Sequence, residues 1–135
     1  MPVESDEAVS LLSSEDIVRV RQKVRATAVQ IGFGLVDQTK IITAASELAR
    51  NTVQHGGGGD MRLQMLTESN RRGLRLVFED RGPGIPDVEQ AMKDGYTTAD
   101  GLGLGLGGAK RLCHEFRISS KPGEGTRVTI TCWRR

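Results

Sequence analysis

What this sequence lacks narrows it first. No stretch approaches the roughly 18–20 consecutive apolar residues of a membrane-spanning helix, and Met1–Ser14 has no basic start followed by an apolar run, so it does not resemble a signal peptide. These two absences predict a cytoplasmic protein that neither crosses nor binds a membrane. An excess of one charge is missing too: 19 Lys and Arg against 17 Asp and Glu leave a formal net charge of +2. Nucleic-acid binders usually carry a clear basic excess, so that class is set aside. The basic C-terminal end, from Lys110, Arg111, Arg117, Lys121, Arg127, Arg134 and Arg135, has the composition of a solvated face. Cysteine is scarce. Cys113 and Cys132 stand far apart among apolar neighbours, without metal-ligand spacing, and are expected as buried free thiols.

What is there is glycine. There are 17, many of them between positions 56 and 108. Glycine in that density suggests loops whose backbone approaches something closely. The 135 residues fit one domain, 1–135, and a 37% hydrophobic content suffices for one core.

Periodicity supplies the elements. Val9–Ser13 is an expected edge strand. Ser13 or Ser14 with Glu15 and Asp16 marks a helix start, and Ile17, Val20, Val24, Ala28 and Ile31 recur at helical spacing until Gly32 and Gly34. Asp37 is the expected cap of a second helix running to about His55, with Ile41, Ile42, Ala45, Leu48, Ala49 and Val53 on its apolar face and Gly56–Gly59 as its stop. Met61–Met65 and Leu74–Phe78 alternate as strands of a hairpin turned by Glu68–Gly73. Pro86–Lys93 and Leu104–His114 are helix candidates. Phe116–Ile118 and Val128–Cys132 complete a second hairpin through Lys121–Gly125. This order predicts an α+β fold, with helices covering one face of a mostly antiparallel sheet.

Three patches carry chemistry. In Glu47-Leu48-Ala49-Arg50-Asn51, residues four apart on a helix project Glu47 and Asn51 together. A carboxylate beside an amide oxygen suits a hard cation such as Mg²⁺, which takes few protein oxygens, and the carboxylate can accept a proton. The same pair also fits an ordinary solvated helix face. Asp80-Arg81-Gly82-Pro83-Gly84-Ile85-Pro86 follows an apolar strand. A strand-end Asp can accept from the exocyclic amine of adenine, while Gly82 and Gly84 clear space for a flat base; a simple Gly-Pro-Gly turn is the competing reading. The third patch is Gly101, Leu102, Gly103, Leu104, Gly105, Leu106, Gly107 and Gly108, then Ala109-Lys110. Glycines at a helix start present bare N–H groups to anions. No strand precedes it, so a dinucleotide fold is disfavoured, and Lys110-Arg111 does not complete a P-loop; a ligand-free flexible loop stays open.

In their order these patches resemble the N, G1 and G2 boxes of the GHKL superfamily, the gyrase, Hsp90, histidine-kinase and MutL ATPases. Gly123-Glu124-Gly125-Thr126 is similar to that superfamily's late GxGT element. The match spans about Asp37 to Arg135. Ser46–Asn51, Glu79–Asp87, Met92–Gly95 and Lys110–Leu112 are closest to the anti-sigma-factor kinases, and among them to the switch kinases of stressosomes. The resemblance implies a Bergerat fold, with helices on a mixed, mostly antiparallel sheet. It implies a serine/threonine protein kinase using ATP and Mg²⁺ on STAS-domain proteins, with a regulated PP2C-type phosphatase as a further partner. Carried over, Glu47 is the base, Asn51 the Mg²⁺ ligand, Asp80 with Thr126 the adenine contact, Gly82, Gly84 and Ile85 part of the nucleotide site, and the Gly101–Gly108 backbone the phosphate cradle. His55 departs from the switch-kinase pattern, though related anti-sigma kinases often place a histidine there; it is expected to pack at the helix end, with a phosphate-side role as the competing reading. The competing function is a nucleotide-gated binding switch of anti-sigma type, without phosphotransfer. A histidine-kinase fragment is disfavoured, since no helical hairpin with a phosphoacceptor histidine precedes the domain.

Overall fold

The computed structural model describes residues 3–85, 87–92 and 105–134. In chain order the elements are β1 (Val3–Leu11), α1 (Ser14–Ile31), α2 (Leu35–Arg50), a π turn (Asn51–His55), β2 (Gly59–Glu68), β3 (Arg71–Asp80), α3 (Val88–Ala91), α4 (Leu106–Arg111), β4 (Glu115–Lys121) and β5 (Gly125–Trp133).

Helix α1 forms where expected. Asp16 Oδ2 accepts from the N–H groups of Leu12, at 2.9 Å, and Ser13, at 3.2 Å, which pins the first turn. Val20, Val24, Ala28 and Ile31 all fall on its buried stripe. Gly32, at φ +103°, ends it by donating to Ala28 O and Val29 O. Helix α2 starts earlier than the Asp37 cap predicted. The Gly34 carbonyl already accepts from Gln38 N–H, so helical bonding begins at Leu35 and Asp37 falls inside the first turn. There its carboxylate still suits the helix dipole. The predicted extent to His55 holds, but the last turn is wide: Gly56 N–H reaches back to Asn51 O at 2.9 Å.

The strands form one five-stranded sheet in the order β1-β2-β3-β5-β4, antiparallel at every described pairing, with no mixed segment. Between β1 and β2 the α1–α2 pair returns the chain to pair in the opposite sense, and tight turns join β2 to β3 and β4 to β5. Strand β1 is an edge as predicted but extends back to Val3 and stops at Leu11. Its N-terminal half is charged, and its acids find cations: Asp6 bonds Arg62 and Glu7 bonds Lys23. The predicted helices around positions 86–93 and 104–114 are shorter, Val88–Ala91 and Leu106–Arg111, with Pro86, Lys93 and Leu104 outside the described residues.

Alternation sorts the sheet into two faces. Met61, Leu63, Leu74, Leu76, Phe78, Val128 and Ile130 face the helices and pack with Val20, Val24, Ala45 and Leu48 in the main core. Full burial of such side chains is worth about 1.5–3 kcal/mol each. Leu66, Val77 and Trp133 are also buried but belong to the opposite face. Trp133 lies opposite Gly73, where a β-carbon would stand 2.5 Å from the indole. The ring Nε1 donates to Glu115 Oε2 at 2.8 Å, and the Arg71 guanidinium sits 4.0 Å from its centroid. Both cysteines are free. Their thiols share a hydrogen bond, which together with burial pushes Cys113 up and, against burial, pulls Cys132 down.

Candidate nucleotide site

One end of the inner sheet face is polar, and register explains why. Asp80 on β3 pairs with Thr126 on β5, which pairs with Ser120 on β4. Three adjacent strands therefore place Asp80, Thr126 and Ser120 in one row. Ser120 Oγ lies 2.8 Å from Thr126 Oγ1 and accepts from Ile85 N–H at 2.8 Å. The loop after β3 is thus tied to the β4–β5 hairpin, and Gly123 N–H donating to Pro83 O at 2.7 Å adds a second tie.

Asp80 is held from two sides. Its Oδ1 accepts from Gly82 N–H at 2.9 Å, and Thr126 N–H also bonds the carboxylate. Burial holds the carboxyl above its ordinary value; those two hydrogen bonds and the nearby His55 work the other way without cancelling it.

The glycines permit this packing. A β-carbon at Gly56 would stand 2.3 Å from Asp80 Cγ, and one at Gly82 would stand 2.4 Å from Gly56 O. Gly84, at φ +78°, passes so close to the Lys121 carbonyl that a β-carbon would be 2.1 Å from it. Gly82 and Gly84 were expected to clear space for a flat base; what their missing side chains admit is neighbouring backbone.

Behind the row lies a small enclosed cavity. Asn51, Thr52, His55, Asp80 and Thr126 supply its polar lining, and Leu48, Phe78, Ile85, Leu106 and Val128 its apolar lining. The enclosed space is about 20 Å³, enough for one water. A purine therefore enters only if the lining side chains give way. Glu47 stands one turn before Asn51 on α2 and meets the start of α4: a β-carbon at Gly105, whose φ is +63°, would be 2.5 Å from Glu47 Oε2. Glu47 Oε1 also accepts from Arg50 Nη1 at 2.7 Å. Among the described residues no group of three His, Cys, Asp or Glu could hold a metal by itself. One amide and one carboxylate fit a cation that takes most of its ligands from phosphate and water, as Mg²⁺ does.

Of the residues singled out in the sequence, Asn51, Asp80, Ile85, Leu106 and Thr126 line this one cavity. Glu47 and Gly105 meet beside it, and Gly107 is buried in α4. Gly101, Leu102, Gly103 and Leu104 lie outside the described residues. Sequence reasoning missed Gly56, Thr52 and Ser120. Gly56 looked like a helix stop, and Ser120 carries no local signal because it joins the row only through strand register. His55, expected at the helix end, is there, but its ring lines the cavity.

The family model for histidine kinase-, DNA gyrase B- and HSP90-like ATPases matches residues 36–135. The chain belongs to this GHKL ATPase family. Its identity to a curated GHKL relative, serine/threonine-protein kinase RsbT of Bacillus subtilis (strain 168), is 45% over 127 residues, covering 94% of this chain and 96% of that one. Its enzyme class is that of an ATP-dependent serine/threonine protein kinase. A second GHKL relative, the anti-sigma F factor of Shouchella clausii (strain KSM-K16), is 31% identical over 90% of this chain and 85% of its own. The fold recurs in a crystal structure of RsbU and RsbW domains from Mycobacterium tuberculosis, with TM-score 0.65 at 24% identity; the match covers 97% of this chain and 33% of that one. It recurs also in the catalytic domain of the histidine kinase ThkA, with TM-score 0.54 at 16% identity, covering 98% and 95%.

Proposed function

We propose that residues 1–135 act as one GHKL domain that transfers the γ-phosphoryl group of ATP to a serine or threonine of STAS-domain regulators. The pathway is a cytoplasmic partner switch of stressosome type, with a PP2C-type phosphatase as a further partner. The observation that carries this reading is the convergence of Asn51, Asp80 and Thr126 on one cavity, with Glu47 facing the start of α4 beside it. Asp80 accepts from the adenine amine, supported by Thr126. Asn51 offers its amide oxygen to Mg²⁺, which supplies charge neutralisation at the phosphates when bound. The glycine-rich segment from Gly101 to Gly108 presents N–H groups to the phosphates. Glu47 orients or deprotonates the acceptor hydroxyl. Phosphoryl transfer asks mainly for such positioning and charge stabilisation.

One observation favours a second reading, a nucleotide-gated switch that binds its partner without phosphorylating it. Glu47 Oε1 already accepts from Arg50 Nη1 at 2.7 Å, so one of its two carboxylate oxygens is turned to the protein's own cation and away from an acceptor hydroxyl. Glu47→Gln separates the two. Loss of a general base typically costs about 10²–10⁴-fold in rate, so the variant should lose transfer by that factor while keeping ATP and the STAS partner. Labelled transfer and partner binding are measured on the same preparations. Unchanged transfer sinks the base assignment, and no transfer by the unmodified protein to any STAS candidate supports the switch.

A further inference from the structure

Among the described residues, one buried side-chain polar atom has no hydrogen-bond partner: Nε2 of His55. Buried polar groups in folded proteins are paired in the large majority, and an unpaired one weakens the fold. Its place in the lining of a cavity leaves it available to whatever enters there. The His55 side chain lines the same cavity as Asp80 and Thr126. Two features of the chain hold it there. The wide turn from Asn51 to His55 carries the ring past the end of α2, and the next residue, Gly56, packs against the Asp80 carboxyl with no room for a side chain. His55 therefore sits at the Asp80 end of the site. Glu47, which meets Gly105, lies eight residues back along the helix, about 12 Å away.

We propose that His55 is a base-contacting residue: its Nε2 hydrogen-bonds, directly or through one ordered water, to a ring nitrogen of the purine whose amine Asp80 accepts. This rests on the assignment of Asp80 to adenine. The ring nitrogens beside the amine-bearing side of adenine are acceptors, and a neutral imidazole can present Nε2–H as a donor. Where ring and base stand too far apart for a direct bond, one ordered water can bridge them. The contact fixes the orientation of the base, where Asp80 alone recognises only its amine.

His55→Phe keeps an aromatic ring and removes the hydrogen bond. ATP should bind it about tenfold more weakly, equivalent to ~1.4 kcal/mol. Calorimetry with ATP, 1-deaza-ATP and 7-deaza-ATP then identifies the nitrogen: the analogue lacking the contacted atom should bind the unmodified protein and His55→Phe alike. The nucleotide-free variant should melt no lower than the unmodified protein, because an unpaired polar atom has been removed. His55→Gln, which can still donate, should recover part of the affinity. Undiminished ATP affinity in His55→Phe overturns the proposal. So does an equal loss for ATP and both analogues, or a drop in nucleotide-free melting temperature in both variants with the ATP-induced shift unchanged. If Asp80→Asn loses ATP while His55→Phe does not, only this inference fails; if Asp80→Asn keeps ATP, the base assignment fails first.

Discussion

The two ends of β3 solve the same problem in opposite ways. At its start, Gly73 leaves a space on the outer sheet face, and the indole of Trp133 fills it. Every polar atom of that ring is spoken for, with Nε1 on Glu115 and the face under Arg71. At its end, Gly56 and Gly82 again bring chain segments close, but the space beside Asp80 is left to a small polar cavity in which His55 Nε2 goes unpaired. The first end is finished by the protein's own side chains. The second leaves that nitrogen unpaired in the lining of the cavity. Glycine by itself does not distinguish a packing device from a binding device; the pairing state of the polar atoms around it does.

If that contrast holds, damage at the start of β3 should be felt as stability and damage at its end as affinity. The largest effect belongs to Trp133→Ala. Truncating a buried aromatic costs about 3–5 kcal/mol, so denaturant unfolding should show a loss of that size while ATP affinity, corrected for the folded fraction, stays within about twofold. A large loss of affinity in the folded variant would mean that the two ends are coupled.

Asp80→Asn should act the other way round. Replacing the acceptor by an amide that can face the adenine amine as a donor leaves a mismatched contact worth about 1–3 kcal/mol, seen in calorimetry as weaker ATP binding. The nucleotide-free protein should respond to pH with a definite sign. Burial raises the Asp80 pKa in the folded state, so the folded protein holds that proton more tightly than the unfolded chain does. The associated stability is greatest below the ordinary carboxylate pKa and is lost as pH rises through the raised value. Asp80→Asn should remove that decline, so melting curves of the two proteins should diverge as pH rises through this window. Parallel curves would show that Asp80 is not held against its charge.

The smallest effect is expected from Arg71→Ala. The guanidinium lies over Trp133 but is itself half exposed, and its ion pair with Glu68 is a surface one. A cation–π contact at such a site contributes about 0.5–1 kcal/mol, measurable in the same unfolding experiment. A loss as large as that of Trp133→Ala would mean that the arginine, not the buried ring area, holds the outer cluster.

The sequence revealed what repeats locally. Valine, alanine and isoleucine at helical spacing gave α1, and alternation gave β2, β3 and β5. Asn51 and Asp80 stood out because helical spacing sets one beside Glu47 and the other ends an apolar strand, whereas Thr126 was reached only through its resemblance to a GxGT element. What was hidden is what depends on distant partners. The expected edge strand began only at Val9; the N-terminal half of β1 is acidic, and Arg62 and Lys23, which offset its acids, come from other elements. Ser120 enters the site row only through the β4–β5 register, and Gly56 matters only because β3 ends against it. The start of α2 was missed because a glycine carbonyl, not an acidic cap, begins its bonding.

The wide turn after α2 also bears on which changes in length the chain can absorb. A regular α-helix would cover the path from Asn51 with one residue fewer; if one were removed and the turn kept its wide geometry instead, every later residue would be drawn back one position along the path. The histidine would then leave the cavity, and the residue delivered to the tight place beside Asp80 would be one position later in the chain. That residue is Gly57, inside a run of four glycines from Gly56 to Gly59. The run thus acts as a slip joint: it can present a glycine at the crowded spot under either helical geometry, while which side chain looks into the cavity is decided by residue count alone.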